Sequence, residues 1–411
     1  MKITKVEAHD VRFPLGRGAG SDAVHTDAVY SYSVCRLHTE RSLQGVGLAF
    51  TVGAGNELVT QAIEMLAVDL VGKDLHEVMA DFGNFQRNMS NHSQLRWVGP
   101  HKGVIHLALA AVTNACFDLW AKGKEVPLWK CLLDLSTEDV LNLLDFSYCE
   151  DVLSRDEARA ILDVEKISRP DRERVLKNYY PGYDTSIGWF NYSDDTVRDN
   201  IRKSIDAGFS SMKLKVGAKD HERDLRRAFM VREVAGDDAT IMLDCNQQWQ
   251  MQESLDFMNK VKDMNPFWIE EPTHPDDILG HQTLARAISP IKVACGEHVP
   301  NRILFKNFLQ AGAMQINQVD AVRVGGVSEF LLISLMSRKC HVPVVPHVGD
   351  MGQIHQHLVL FNHIAMGHEA LFLEHIPHLQ EHFVHPVKIE NGQYVTPQEA
   401  GMSSDLHCLI E

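Results

Sequence analysis

Three absences narrow the reading before any motif does. The chain's eight cysteines (Cys35, Cys116, Cys131, Cys149, Cys245, Cys295, Cys340 and Cys408) form no Cys-x-x-Cys pair. In 411 residues they read as reduced and mostly buried, not as a disulfide frame. No block of Lys/Arg offsets a formal net charge of −15, which sets the chain against nucleic acid and anionic membrane. The opening MKITKVEAHDV contains no apolar stretch of the kind a secretory signal needs. The most apolar helical stretch, residues 102–123, is broken by His106, Asn114 and Asp118. It therefore reads as a buried helix and not as a membrane span. These absences give the expectation of a cytoplasmic enzyme with no nucleic-acid or membrane partner.

Hydrophobic residues make up 45% of the chain, enough for a large core. Its length fits one barrel plus a companion domain. KITKVEAHDVRF, YSYSVCRLHT and LQGVGLAFTV alternate like strands, and helices are expected over 56–72, 75–88 and 102–123. Residues 1–130 thus read as an α+β unit, to which a strand-turn-strand tail, 380–411, could return. Residues 131–379 read as a barrel. Its first strand is expected at LNLLDFSY (141–148) in preference to Tyr183–Ser186, with 151–192 inserted near the mouth. From Ser193, a candidate helix cap, strands alternate with helices through MKLKV, TIMLDC, FWIEE, IKVACG, AMQINQVD, VPVVPH and ALFLEH. Such alternation indicates a parallel sheet.

Each of those strands ends on a residue that can do chemistry: Lys215, Asp244, Glu270, Glu297, Asp320, His347 and Glu374. Successive spacings are 29, 26, 27, 23, 27 and 27 residues, the length of one strand, one helix and two loops. If the units close into a barrel, all seven lie at its C-terminal mouth, where active sites of such barrels form.

Lys213 and Lys215 sit two apart on one strand and share a face. Two close ammonium groups, with a metal nearby, would lower a lysine pKa toward that of a base. Asp244, Glu270 and Glu297 would repel one another unless a cation sat among them, and all-oxygen donors suit a hard ion such as Mg²⁺. Glu271 should face outward, whereas Asn246 shares the face of Asp244 and could touch ligand. Asp320 beside His347 would fix the imidazole tautomer and make a competent proton donor. His355 and His357, two apart on a helix, point different ways and read as non-ligands. A metal-dependent hydrolase would need an H-x-H on an early strand, and neither LNLLDFSY nor MKLKV has one.

The ordered set KLKVG, MLDCNQQW, WIEEP, CGEH, QVDAVRVGGV and VVPH resembles the mandelate-racemase-like branch of the enolase superfamily. With DVRFP, GSDA, QLRWVGPHKGV, GWFNYSDD and EHFVHPV, nearly the whole chain is similar to the L-fuconate dehydratase group of sugar-acid dehydratases. The resemblance implies an α/β fold: a modified TIM barrel, (β/α)7β, with an N-terminal α+β capping domain. It implies one Mg²⁺ per subunit on Asp244, Glu270 and Glu297, with Lys215 as base and His347–Asp320 as the opposing acid. Lys213 would partner the base and Glu374 would hydrogen-bond the substrate carboxylate. Asp22, Tyr30 and Trp97 match positions that could reach a sugar acid, and residues 16–32 would form the specificity loop. The implied partners are a small acid sugar and further copies of the chain in a homo-oligomer. The implied reaction removes the C2 proton of an aldonate and expels the 3-hydroxyl, giving a 2-keto-3-deoxy acid. A racemase or epimerase using the same Lys/His pair is the alternative, and a binding homologue without catalysis a further one. The chain departs from the group's pattern at Val348-Gly349-Asp350-Met351, at Cys245 where alanine is usual, and in a shorter C-terminus.

Overall fold

The computed structural model describes residues 1–177 and 179–410. The N-terminal strands β1 (Ile3–Pro14), β2 (Val29–Thr39) and β3 (Gln44–Thr51) form an antiparallel sheet in the order β1-β2-β3. Helix Gly103–Gly123 lies against β3, and two glycines allow the close approach. A Cβ on Gly45 would come within 2.4 Å of the Ala115 carbonyl oxygen, and one on Gly47 within 2.0 Å of that of Ala111. This helix is long and apolar enough to cross a membrane, yet it is buried inside the protein. Its polar residues join the two domains. Asn114 Nδ2 donates to the Ala321 carbonyl at 2.9 Å, and its Oδ1 accepts from Val327 N–H at 2.9 Å. Thr113 Oγ1 donates to the Gly325 carbonyl at 2.9 Å. Asp118 accepts from the N–H groups of Val46 and Met402, each at 2.8 Å. The tail 401–405 is therefore held on the capping unit, with Ser404 donating to the Val46 carbonyl.

The barrel is built from parallel strands β4 (Tyr179–Gly188), β5 (Ser211–Lys215), β6 (Thr240–Asp244), β7 (Trp268–Glu270), β8 (Lys292–Cys295) and β9 (Ile316–Asn317). A seventh segment, 343–345, brackets Asn317 through Asn317 N–H to Pro343 O and Val345 N–H to Asn317 O. The eighth strand, β10 (Leu373–His375), closes onto β4 in parallel. Seven helices lie between the eight strands, the first at Asp194–Asp206 and the last at His355–Met366, giving the (β/α)7β barrel behind an α+β cap. Ser193 does cap the first of these helices, accepting from Thr196 N–H at 3.1 Å. β11 (Ile389–Glu390) and β12 (Gln393–Val395) form a hairpin that pairs antiparallel with the start of β4. Tyr183, Met242, Trp268, Ala294, Ile316 and Val345 form a separate buried cluster. These residues come from β4, β6, β7, β8, β9 and the seventh segment and fill the barrel interior.

The first barrel strand is β4, not LNLLDFSY. Ser136 caps a short helix, Thr137–Asn142, by accepting from Asp139 N–H, and the chain then turns. Nor does most of 151–192 lie near the mouth. Helices Arg155–Glu165 and Arg169–Leu176 pack on the outer flank against helix His355–Met366. Arg172 reaches the Ile364 carbonyl at 2.8 Å there.

A buried ionic network ties cap to barrel. Glu329 accepts from His106 Nε2 at 2.7 Å, from Gly325 N–H at 2.6 Å and from Arg302 at 3.1 Å. Arg302 also reaches Asp145 at 2.7 Å. Glu329→Ala leaves the buried His106 imidazole unpaired and Arg302 with Asp145 as its one remaining carboxylate among the described residues. It should lower stability by about 3–5 kcal/mol, read as a lower urea midpoint at unchanged slope. A midpoint within error of the parent's would show that the network carries no interdomain stability.

Candidate active site

Backbone register places the site. Lys215 pairs with Asp244 and Asp244 with Glu270, each the last residue of its strand. Glu297 lies two residues past β8, Asp320 three past β9, and His347 two past the seventh segment. All seven residues of the strand-end series are buried or nearly so. A cleft of about 880 Å³ at the mouth is lined by Lys215, Asn246, Glu297, His347 and Glu374 from the barrel. Gly20, Asp22, His25, Tyr30 and Phe50 line it from the cap.

Charge is dense here. Lys213 Nζ lies 2.8 Å from Glu270, 2.9 Å from Glu374 and 3.4 Å from Asp244. Lys215 Nζ lies 2.5 Å from Asp244 and 3.1 Å from Asn246 Oδ1, and 5.6 Å from the centre of the Trp189 ring, within cation–π range. Burial disfavours the charge on Lys215, but the surrounding carboxylates, Asp244 first among them, together outweigh it, and the pKa lies above the usual lysine value. On Lys213 burial is likewise outweighed, by Glu270 and then Glu374. Carboxylates and not ammonium groups are the nearest charged neighbours of both lysines. Burial and the Asp244 charge push Glu270 up to about 8. Glu297 is held well below the usual carboxylate range, since His347 and His298 overcome its burial.

His347 is built as a donor. Its Nδ1 is 2.7 Å from Asp320 Oδ2, leaving Nε2 toward the cleft, 3.6 Å from Glu297. Burial opposes its charge, but Glu297 and the Asp320 hydrogen bond raise its pKa to about 10. Asp320 Oδ2 also accepts from Gly349 N–H at 3.0 Å. A Cβ on Gly349 would sit 2.9 Å from that oxygen and 3.0 Å from Phe50 Cβ. Gly349→Ala should therefore shift the pair and lower turnover between about 10- and 100-fold in a folded protein. Unchanged turnover would show that the pair tolerates the displacement.

The donor chemistry fits a hard divalent cation. Asp244, Glu270 and Glu297 offer only carboxylate oxygens, and the upward shift of Glu270 marks a buried anion pair short of positive charge. Their side chains do not cluster most tightly with one another. Asp244 turns to Lys215, Glu270 to Lys213, and Glu297 to His298 and His347. The His/Cys/Asp/Glu set whose donor atoms all lie within 4.8 Å, among the described residues, is Glu271, Glu297 and His298. Of these, Glu271 is already engaged, 2.9 Å from His298 Nδ1 and 2.6 Å from Gln247 Nε2. Strand-end register therefore favours Asp244, Glu270 and Glu297.

Tyr30 and Asp22 both line the cleft, although Asp22 is largely spent on its own loop. It accepts from Val24 and His25 N–H at 2.7 and 2.6 Å, and lies 2.9 Å from His25 Nδ1. Trp97 is not brought to the cleft; it is 92% exposed on a short helix, Leu95–Val98, so a substrate-binding role for it is corrected. Glu271 does not face outward either. It is 2% exposed, with φ +43°, because the strand has already ended and alternation no longer applies. Sequence reasoning missed Trp189, His25, His298 and Arg323, all of which line the cleft. Each stood within or beside a quoted motif, but none ends a strand, so the spacing argument passed over them.

Residues 196–407 match the family described as enolase C-terminal domain-like, and residues 13–133 match the mandelate racemase / muconate lactonizing enzyme N-terminal domain. The chain is 42% identical to mitochondrial enolase superfamily member 1 of Homo sapiens, covering 98% of this chain and 94% of the relative. A crystal structure of that human protein superposes with TM-score 0.95 at 41% identity, over 98% of this chain and 94% of that one. L-galactonate dehydratase of Hypocrea jecorina is 42% identical over 98% of this chain and 92% of its own. L-talarate/galactarate dehydratase from Salmonella typhimurium LT2, solved with Mg and L-lyxarohydroxamate, is 25% identical with TM-score 0.78, over 98% and 90%.

Proposed function

The chain belongs to the enolase superfamily, in its mandelate-racemase-like branch, and from that premise we propose that it is a Mg²⁺-dependent sugar-acid dehydratase. The observation that carries this reading is one cleft lined by both Lys215 and His347, with carboxylates on the strand ends between them. Relatives named as dehydratases of L-galactonate and of L-talarate/galactarate support it. The finer reading is a six-carbon aldonate of the L-fuconate type, to which L-galactonate adds one hydroxyl at C6.

Lys215 takes the C2 proton. Enolase-superfamily sites are the standing example of a lysine or histidine base working beside Mg²⁺ on such a proton. Held by Asp244, Glu270 and Glu297, Mg²⁺ would relieve Lys215 of the Asp244 charge and steady the negative charge gathering on the substrate carboxylate. His347 then gives its Nε2 proton to the 3-hydroxyl, which leaves as water with the C3–O electron pair. The resulting enol takes a proton at C3 and becomes the 2-keto-3-deoxy acid. Asp320 holds His347 in the donating tautomer. Glu374, salt-bridged to Lys213 and lining the cleft, faces the substrate carboxylate.

Purified protein with Mg²⁺, offered a panel of aldonates and aldarates that includes L-fuconate and L-galactonate, should yield a product reactive with a carbonyl reagent. Chelation should abolish the yield and added Mg²⁺ restore it. No keto acid from any member of the panel would count against the proposal.

A further inference from the structure

Behind the His347–Asp320 pair lies a second imidazole–carboxylate pair that the reaction described above does not use. Its carboxylate, Asp350, belongs to the segment 348–351 that departs from the family pattern. Its imidazole, His355, opens the last barrel helix. Both are fully buried. Asp350 Oδ1 lies 2.7 Å from His355 Nδ1 and accepts from Gly352 N–H at 3.0 Å. Asp350 Oδ2 accepts from the N–H groups of Ile354 and His355. On the other side of the ring, Nε2 accepts from Ala321 N–H at 2.9 Å and lies 3.4 Å from Asp320 Oδ1. His347, Asp320, His355 and Asp350 thus alternate in one buried line, and Ala321 follows Asp320 directly in the chain.

A ring nitrogen that accepts a backbone N–H carries no proton of its own. Nε2 of His355 is therefore bare, and Nδ1 carries the hydrogen and gives it to Asp350. Burial works against a second proton on this ring, and Asp350 and Asp320 together outweigh it and raise the pKa. The Ala321 N–H nevertheless points straight at Nε2, where a hydrogen would have to sit, and that geometry sets the neutral form. In that form His355 donates nothing to Asp320. The hydrogens reaching the Asp320 carboxylate come from Val322 N–H at 2.8 Å, Gly349 N–H at 3.0 Å and His347 itself.

We propose that Asp350 and His355 are positioning residues for the proton donor: they anchor the backbone beside Asp320 and keep its carboxylate undivided for His347. This rests on His347 being the acid of the reaction proposed above. It differs from a plain helix-capping role for Asp350 in what Asp350→Asn does. An asparagine that still accepts from Ile354 and His355 N–H turns its NH₂ toward Nδ1. His355 then carries its hydrogen on Nε2, facing Ala321 N–H and Asp320 Oδ1. The donor pair loses its setting and Gly352 N–H loses its acceptor, while the helix keeps the bonds from Ile354 and His355 N–H.

The test uses the Mg²⁺-loaded protein and the acid sugar it turns over, in D₂O. Asp350→Asn should lower dehydration by about 10–100-fold, the usual cost of losing an orienting partner of a histidine. Deuterium should enter C2 of the recovered substrate at no less than about a third of the parent rate, since Lys215 is untouched. His355→Gln, which can still accept from Ala321 N–H, should retain more turnover than His355→Leu. Loss of exchange and dehydration together, or loss of neither, would overturn the proposal. Nitrogen NMR of ¹⁵N-histidine protein supplies a reading without substrate. His355 should show a bare Nε2 in the parent and a protonated Nε2 in Asp350→Asn. A protonated Nε2 in the parent overturns the proposal even if the protein folds and turns over normally. If the parent dehydrates no acid sugar, the proposed function fails, and this spectrum still judges the positioning claim.

Discussion

Lys215→Ala should abolish both entry of solvent deuterium at C2 and formation of keto acid, lowering turnover by about 10²–10⁴-fold or more. The lysine is the one amine lining the cleft, among the described residues. Its loss also frees Asp244 from the contact at 2.5 Å. Mg²⁺ affinity, measured by titration calorimetry, should therefore stay level or rise. That pattern separates a lost base from a collapsed site. Retained turnover would remove Lys215 from the mechanism, whereas lost turnover together with lost Mg²⁺ affinity would make it a structural residue of the metal site.

His347→Asn should split the two halves of the reaction. Asparagine can keep a donor near Asp320, but it offers no titratable proton to the leaving hydroxyl. Dehydration should fall by about 10²–10⁴-fold, while Lys215 continues to exchange the C2 hydrogen with solvent. Recovered substrate from D₂O would then carry deuterium at C2, at a level rising with time. If exchange falls as far as dehydration, His347 acts on C2 itself. An unchanged dehydration rate would assign the acid to another group.

Much of this site was legible because the barrel imposes it. A βα unit has a nearly fixed length, so residues that end strands recur at nearly fixed spacing, and Lys215, Asp244 and Glu270 do end theirs. The rule failed where backbone left the regular state. Asn246, Gln247 and Glu271 follow strand ends with φ of +46°, +64° and +43°, and period-2 alternation says nothing about side chains there. Asn246 still reaches Lys215, whereas Glu271 turns inward to His298. The first barrel strand was hidden by composition. Tyr179–Gly188 carries Pro181, Gly182 and Gly188, which read as a loop, while the apolar run LNLLDFSY had the look of a strand. Pro181 is tolerated because it lies where β4 meets the hairpin strand β12 instead of a barrel neighbour. The carboxylates around the two lysines were not foreseen, because a strand pattern shows which side chains share a face but not which atoms come nearest. Of the polar residues of helix 103–123, noted only as interruptions of an apolar run, His106 and Asn114 prove to be its bonds to the barrel and Asp118 its bond to the tail.

In the proposed reaction Lys215 and His347 work on neighbouring carbons of one acid sugar across a cleft walled by carboxylates. Running the reaction in D₂O with Mg²⁺ and following it by proton NMR tests this most directly. The product should be a 2-keto-3-deoxy acid with one deuterium at C3, introduced when the enol becomes the ketone. A C2 epimer of the substrate bearing deuterium at C2, with no keto acid formed, would contradict it.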